Sequence, residues 1–244
     1  MIDFGVIAET SEGKGRDTIQ QLAQSTHNRV WFRDIYHDSP YFHENGAELQ
    51  LDPFLFIARH SETLRTFSAI GTSVVRLDRT APENIARNLR TILTLMPQAS
   101  LKVGMGWSSG LSRDPGARLT YETSILTVCE MIDEFDSCAQ IDIGVISPQV
   151  YGSLRETNDR FFFLTTDPDP KNLLLQHKRL GAGAQITLDL AVVKSNTRVD
   201  GNPLSPEGDE MRKNRIRMRL VDTWTACGVT EVIMTSSGIR IWMG

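Results

Sequence analysis

No apolar run in this 244-residue chain approaches the roughly 18 residues that a membrane-spanning helix needs. No excess of positive charge is present either. The net charge is −4 with 23% charged residues, which argues against a general attraction to nucleic acid or to an anionic membrane. Cysteine is scarce. Cys129, Cys138 and Cys227 form no C-x-x-C pair and are odd in number, so they read as reduced structural thiols in a cytoplasmic protein. No cluster of His, Cys and carboxylates has metal-ligand spacing, so no metal is expected. Neither a G-x-S-x-G elbow nor a G-x-x-x-x-G-K-S/T loop occurs. The start, "MIDFGVIAE", reads directly as a strand and lacks the layout of a signal peptide. No internal repeat or low-complexity segment stands out.

What is present is a regular alternation. Apolar, β-branched runs occur at 2–9, 29–35, 67–75, 100–106, 139–147, 160–167, 184–193 and 230–237. They are near-continuously apolar, as parallel strands covered on both faces are. Helical patterns lie between them at 15–26, 52–65, 81–96, 117–135, 151–159, 169–181 and 207–228. Asp52-Pro53 and Pro82 mark helix starts, and Gly181 marks a helix end. Eight strands alternating with helices predict an α/β fold, a compact (β/α)8 TIM barrel forming a single domain over 1–244. Only "GIRIWMG" follows the eighth strand, so a full last helix is expected to be lacking. The loops 36–51 and 194–207 are long and are the expected carriers of substrate specificity.

Barrel active sites lie at the C-terminal ends of the strands. Small residues stand there, above all Gly71-Thr72-Ser73 in strand three, where a packed strand should carry its bulkiest side chains. Space left by small residues suggests something large lying against them. Ser147-Pro148-Gln149 leads into a short helix whose first N–H groups, with the Ser147 hydroxyl, suit a phosphate. The inventory favours cradling a flat, phosphate-bearing ligand.

The residues that carry these features also resemble a family. "VWFRD", "DPFLFIARHSETLRTFSAIGTSVV", an R-x-x-P opening a helix at Arg79 and Pro82, and "LKVGMGWSSG" together resemble the luciferase-like flavin monooxygenases, the superfamily of bacterial luciferase and the coenzyme F420-dependent reductases. The likeness is good over about 80 residues, from 30 to 110, and weaker through "IDIGVISPQV", "NDRFFFLTTD" and "GVTEVIM". This chain is shorter than most members. The resemblance implies FMN, or alternatively F420, lying across the barrel mouth and a non-prolyl cis peptide at Ser73–Val74 supporting its ring. It implies Asp34 beside the ring edge, Trp107 walling the cofactor, and Ser147 and Gln149 at the phosphate; Arg155, one helical turn on, reads as a solvated side chain, with a second phosphate contact as the alternative. Ile35 stands where F420-using relatives carry His. His37 and His43 are the candidate acid or base residues, while His60 and His177 read as surface residues on helices. The implied activity is oxidation of a small organic substrate by reduced FMN and oxygen, with a separate flavin reductase as a partner. A binding-only flavoprotein is the alternative. A homodimer is also expected, because Phe54, Phe56 and Phe67 and the tail residues Ile239, Ile241, Trp242 and Met243 look short of cover within one chain.

Overall fold

The structure is a computed structural model that describes residues 2–25, 28–33, 51–108, 111, 113–135, 140–190, 198–199, 202–203 and 210–235. Its strands are β1 (Asp3–Ala8), β2 (Arg29–Phe32), β3 (Ala69–Arg76), β4 (Ser100–Gly106), β5 (Gln140–Val145), β6 (Phe161–Thr165), β7 (Ile186–Asp189), the short pair β8 (Arg198–Val199) and β9 (Asn202–Pro203), and β10 (Val229–Thr235). Eight of them close a barrel in the order β1-β10-β7-β6-β5-β4-β3-β2, and every pairing in it is parallel. The (β/α)8 barrel expected from the alternation is thus what the chain forms. β8 and β9 form a small antiparallel ribbon outside it.

The helices are α1 (Lys14–Ala23), α2 (Pro53–Arg59), α3 (Ser61–Leu64), α4 (Pro82–Leu95), α5 (Pro115–Asp133), α6 (Pro148–Arg155), α7 (Pro170–Leu180) and α8 (Glu210–Ala226). Five of them begin with proline, whose missing N–H would be unpaired there in any case. The residue before it caps four of these. Asp52, Asp114, Ser147 and Asp169 each accept a backbone N–H of the first turn. The helix expected at 151–159 therefore starts earlier, at Pro148, because Ser147 caps it.

The main core lies between the strands and the helices that cover them, from Val6 and Ile19 through Ile85, Leu89 and Ile125 to Leu220 and Trp224. Phe54, Phe56 and Phe67 belong to it, at 2%, 0% and 7% exposure, so they offer no surface to a second copy. That part of the expectation is corrected: the helices around them face inward on more than one side because they pack against both the barrel and each other. The tail residues behind the same expectation, and the last helix, lie outside the described residues. Two histidines are also relocated. His60 stands at the joint between α2 and α3, stacked on Phe56 at 4.4 Å. His177 faces Gly228, where an added Cβ would lie 2.3 Å from Nδ1; Gly228 has φ +82, which few other residues adopt. Neither imidazole is simply at the surface. Among the described residues no helix is long and apolar enough to cross a membrane.

Candidate active site at the barrel mouth

Inside the barrel the strands present many small residues, and two aromatic side chains take the space. Trp31 on β2 and Phe162 on β6 meet edge to face, 6.2 Å apart, and pack with Leu164 and Ile233. A Cβ added to Gly71 would lie 2.3 Å from the Trp31 ring, and one on Gly5 2.5 Å from it. A Cβ on Gly144 would lie 2.6 Å from Phe162. The glycine at the heart of β3 is therefore required by a neighbouring strand's indole, rather than by a ligand. Gly106 likewise makes room for Val74, 2.4 Å from an added Cβ.

The Trp31–Phe162 layer divides the interior. Beneath it lies a polar cavity of about 250 Å³ at the N-terminal end of the barrel. There Glu231, 1% exposed, accepts from Trp31 Nε1 at 3.1 Å and Lys102 Nζ at 2.7 Å, with Arg29 at 3.6 Å. A buried carboxylate needs such partners.

Above the layer, at the C-terminal ends of the strands, lies a cavity of about 410 Å³. That volume is in the usual range for a small-molecule site of roughly 300–1,000 Å³. Val74, Ile146 and Leu164 give it an apolar floor. Arg33, Arg76 and Asp189 bring charge to it, and Ser73, Thr165 and Thr166 bring hydroxyls. Ser73 Oγ donates to Asp189 Oδ2 at 2.6 Å, and Arg33 Nη2 stands 3.6 Å from the same oxygen. Arg76 grips Asp78 through Nε at 3.2 Å and Nη2 at 2.5 Å. Burial works to raise the Asp78 carboxyl, but the Arg76 and Ser108 hydrogen bonds outweigh it and hold the group below its ordinary 3.8. Asp78 in this way fixes the guanidinium at the cavity edge. Among the described residues no group of His, Cys, Asp and Glu could hold a metal ion.

Of the residues singled out in the sequence, Ser73 and Val74 line this cavity, and the peptide bond between them is cis, as the resemblance implies. The β3–β4 register shifts between Thr72 and Val75, around the same two residues. Trp107 lines no part of the cavity; its ring packs edge-on against buried Tyr121 at 5.9 Å. Tyr121 in turn ties two strand ends together, donating to Met105 O at 2.5 Å and accepting from Ile146 N at 3.2 Å. Ser147 is 4% exposed; its hydroxyl caps α6 and donates to Gln149 Oε1 at 3.2 Å. Ser147 and Gln149 do not line the cavity either, although adjacent Ile146 does. Arg155 is occupied elsewhere. Its guanidinium donates to the carbonyls of Leu180 at 2.6 Å, Gly181 at 3.4 Å and Ala182, closing the end of α7. Arg79 sits in the exposed turn after β3, and Pro82 opens α4. Asp34, Ile35, His37 and His43 lie outside the described residues, as do residues 36–50 of the first long loop and, apart from 198–199 and 202–203, the second loop 194–207.

Arg33 lies inside "VWFRD" without being singled out there, and Arg76 and Asp189 carry no motif that marks them in the sequence. The apolar run predicts β7 over 184–193, with its functional end at Val193-Lys194, but the strand ends at Asp189. A carboxylate inside the run "ITLDLAVV" is the available signal, since a charge amid apolar residues needs a reason to be there.

No family model matches the chain, and no curated protein matches it. Solved structures do. The chain is similar to a D-psicose 3-epimerase in the presence of D-fructose, at 11% identity and a TM-score of 0.51, over 99% of this chain and 90% of that one. It is similar to the D-psicose 3-epimerase of Clostridium cellulolyticum H10 with D-tagatose at 10% identity, with the same TM-score and coverage. At such identity the likeness is one of fold, and it agrees with the closed barrel; it lends nothing to the luciferase-like relationship.

Proposed function

We propose that this protein is a flavin-dependent oxidoreductase that binds FMN at the C-terminal mouth of its barrel and oxidises a small organic substrate, with reduced flavin delivered by a separate reductase. The observation that carries the proposal is the mouth cavity, an apolar floor of Val74, Ile146 and Leu164 rimmed by two guanidiniums. The resemblance over residues 30–110 supports the same reading. The residues fit such a group in kind. An aromatic ring system suits the floor, and Arg33 and Arg76, each held by a carboxylate, are the cations that line the cavity among the described residues. The phosphate role expected of Ser147 is weakened, because its hydroxyl already serves α6 and Gln149.

When bound, the flavin would supply the redox chemistry. This chain's residues would do the rest. Val74, Ile146 and Leu164 would exclude water from one face of the ring. The Asp78-held Arg76 and the Asp189-paired Arg33 would orient the anionic part of the ligand without having to be ordered first. The test is a fluorescence titration with FMN, repeated anaerobically with dithionite-reduced FMN and with F420. Saturable FMN binding that weakens in Arg76→Met is the expected result. Tighter F420 binding would select that cofactor instead. Binding without turnover of any substrate with reduced flavin and oxygen would select a binding-only role. No binding of any of the three would overturn the proposal.

A further inference from the structure

Ser73 spends its only hydroxyl proton inside the protein. Its Oγ donates to Asp189 Oδ2 at 2.6 Å, and both residues line the mouth cavity although they are only 5% and 3% exposed. The same carboxylate oxygen faces the Arg33 guanidinium at 3.6 Å, so it is an acceptor on both sides. In this bond the hydroxyl donates and the carboxylate oxygen accepts. A serine hydroxyl has one proton and two lone pairs. With the proton committed to Asp189, lone pairs are what Ser73 has left to offer a ligand. Among the described residues no donor reaches Ser73 Oγ. The floor beside it, Val74 and Leu164, carries no polar side-chain atom, and the Arg33 guanidinium that lines the cavity nearby faces the Asp189 oxygen.

We propose that Ser73 is a specificity-determining residue that acts solely as a hydrogen-bond acceptor, with Asp189 as its positioning residue. The cavity thereby selects ligands whose buried edge carries an N–H or O–H over ligands of the same shape carrying a lone pair. A lone pair set against Ser73 Oγ would lose its water and receive no proton from Ser73 in exchange. One consequence rests on the flavin reading: the reduced ring carries an N–H where the oxidised ring has a lone pair, so the same selection favours the reduced form.

The experiment uses two bicyclic probes of matched shape, indole with its N–H and benzofuran with its ring oxygen, titrated into the whole protein and followed by NMR. Wild type should bind indole about fivefold more tightly, the usual worth of one neutral hydrogen bond. Ser73→Ala should bring the ratio close to one, with the fold kept in circular dichroism and a melting point lowered by the loss of one hydrogen bond to Asp189. Ser73→Thr, which keeps the hydroxyl, should restore the preference. Asp189→Leu, which releases the proton, should abolish it. Equal affinity of wild type for the two probes, binding of neither, or a preference that survives Ser73→Ala would each overturn the proposal. Oxidised and reduced FMN are titrated alongside. Indole preference without FMN binding in either state would overturn the flavin reading alone.

Discussion

Gly71 and Trp31 occupy one another's space: the indole lies where a side chain on Gly71 would begin, 2.3 Å from an added Cβ. Trp31 and Gly71 are register partners across β2 and β3, so the ring has nowhere to retreat without leaving the barrel axis. Gly71→Ala should therefore destabilise the fold by about 1–3 kcal/mol, the usual range for overpacking. Urea denaturation gives the value. A midpoint equal to wild type would mean that the indole moves freely, contrary to its packing against Phe162.

Glu231 gives a second prediction. It is held by Lys102 at 2.7 Å and by the Trp31 indole at 3.1 Å. Lys102→Met removes the nearest cation from a carboxylate that is 1% exposed. The expected loss is about 3–5 kcal/mol, as for breaking one side of a buried pair. Lys102→Met with Glu231→Gln should recover much of it. If the double variant is as unstable as the single, the pair does not act as a unit.

Arg155 serves α7 rather than a ligand. Its three carbonyl partners lie at Leu180, Gly181 and Ala182. Arg155→Ala should cost about 1–3 kcal/mol by leaving these carbonyls underserved. Arg155→Lys should recover only part, because an ammonium lacks the planar fork. FMN affinity should be the same in wild type and both variants.

His60 makes stability depend on pH. Burial pushes its imidazole below the ordinary 6.5; Glu12 opposes the shift, and Arg59 and Arg16 add to it. The unfolded chain then takes up the proton at higher pH than the folded one. Stability from this group is full above pH 6.5 and falls as the pH drops below it. His60→Gln should lose less stability than wild type between about pH 7.5 and about pH 5.5. Parallel decline in the two proteins would remove His60 from the acid limb.

Burial pushes the Cys129 thiol up to about 11. Thiolate is the reactive form, so folded protein at about pH 8 should leave Cys129 unalkylated by iodoacetamide, while unfolded protein reacts. Peptide mass analysis reads this directly.

The fold is legible in the sequence because its signals are local. Each Asp-Pro or Ser-Pro step at 52, 114, 147 and 169 caps a helix with its own side chain, and the apolar runs need no partner to be recognised. The site is legible only in part. Ser73 and Val74 stand at a strand end that the alternation identifies, but the reason for Gly71 sits on another strand, 40 residues away in Trp31. A small residue in a strand tells that something is close, not what. Ser147 is ambiguous for a related reason. A serine before a helix start suits a phosphate and suits its own helix equally, and here its hydroxyl caps the helix. Asp189 is hidden because its apolar neighbours extend the apparent strand past its true end.

The Trp31–Phe162 layer has a consequence for traffic. With both rings 1% exposed and a charged cluster behind them, nothing can pass from one end of the barrel to the other. The upper cavity is therefore closed at its floor, and among the described residues a molecule resting there exchanges with solvent at the C-terminal face and not through the charged cluster below.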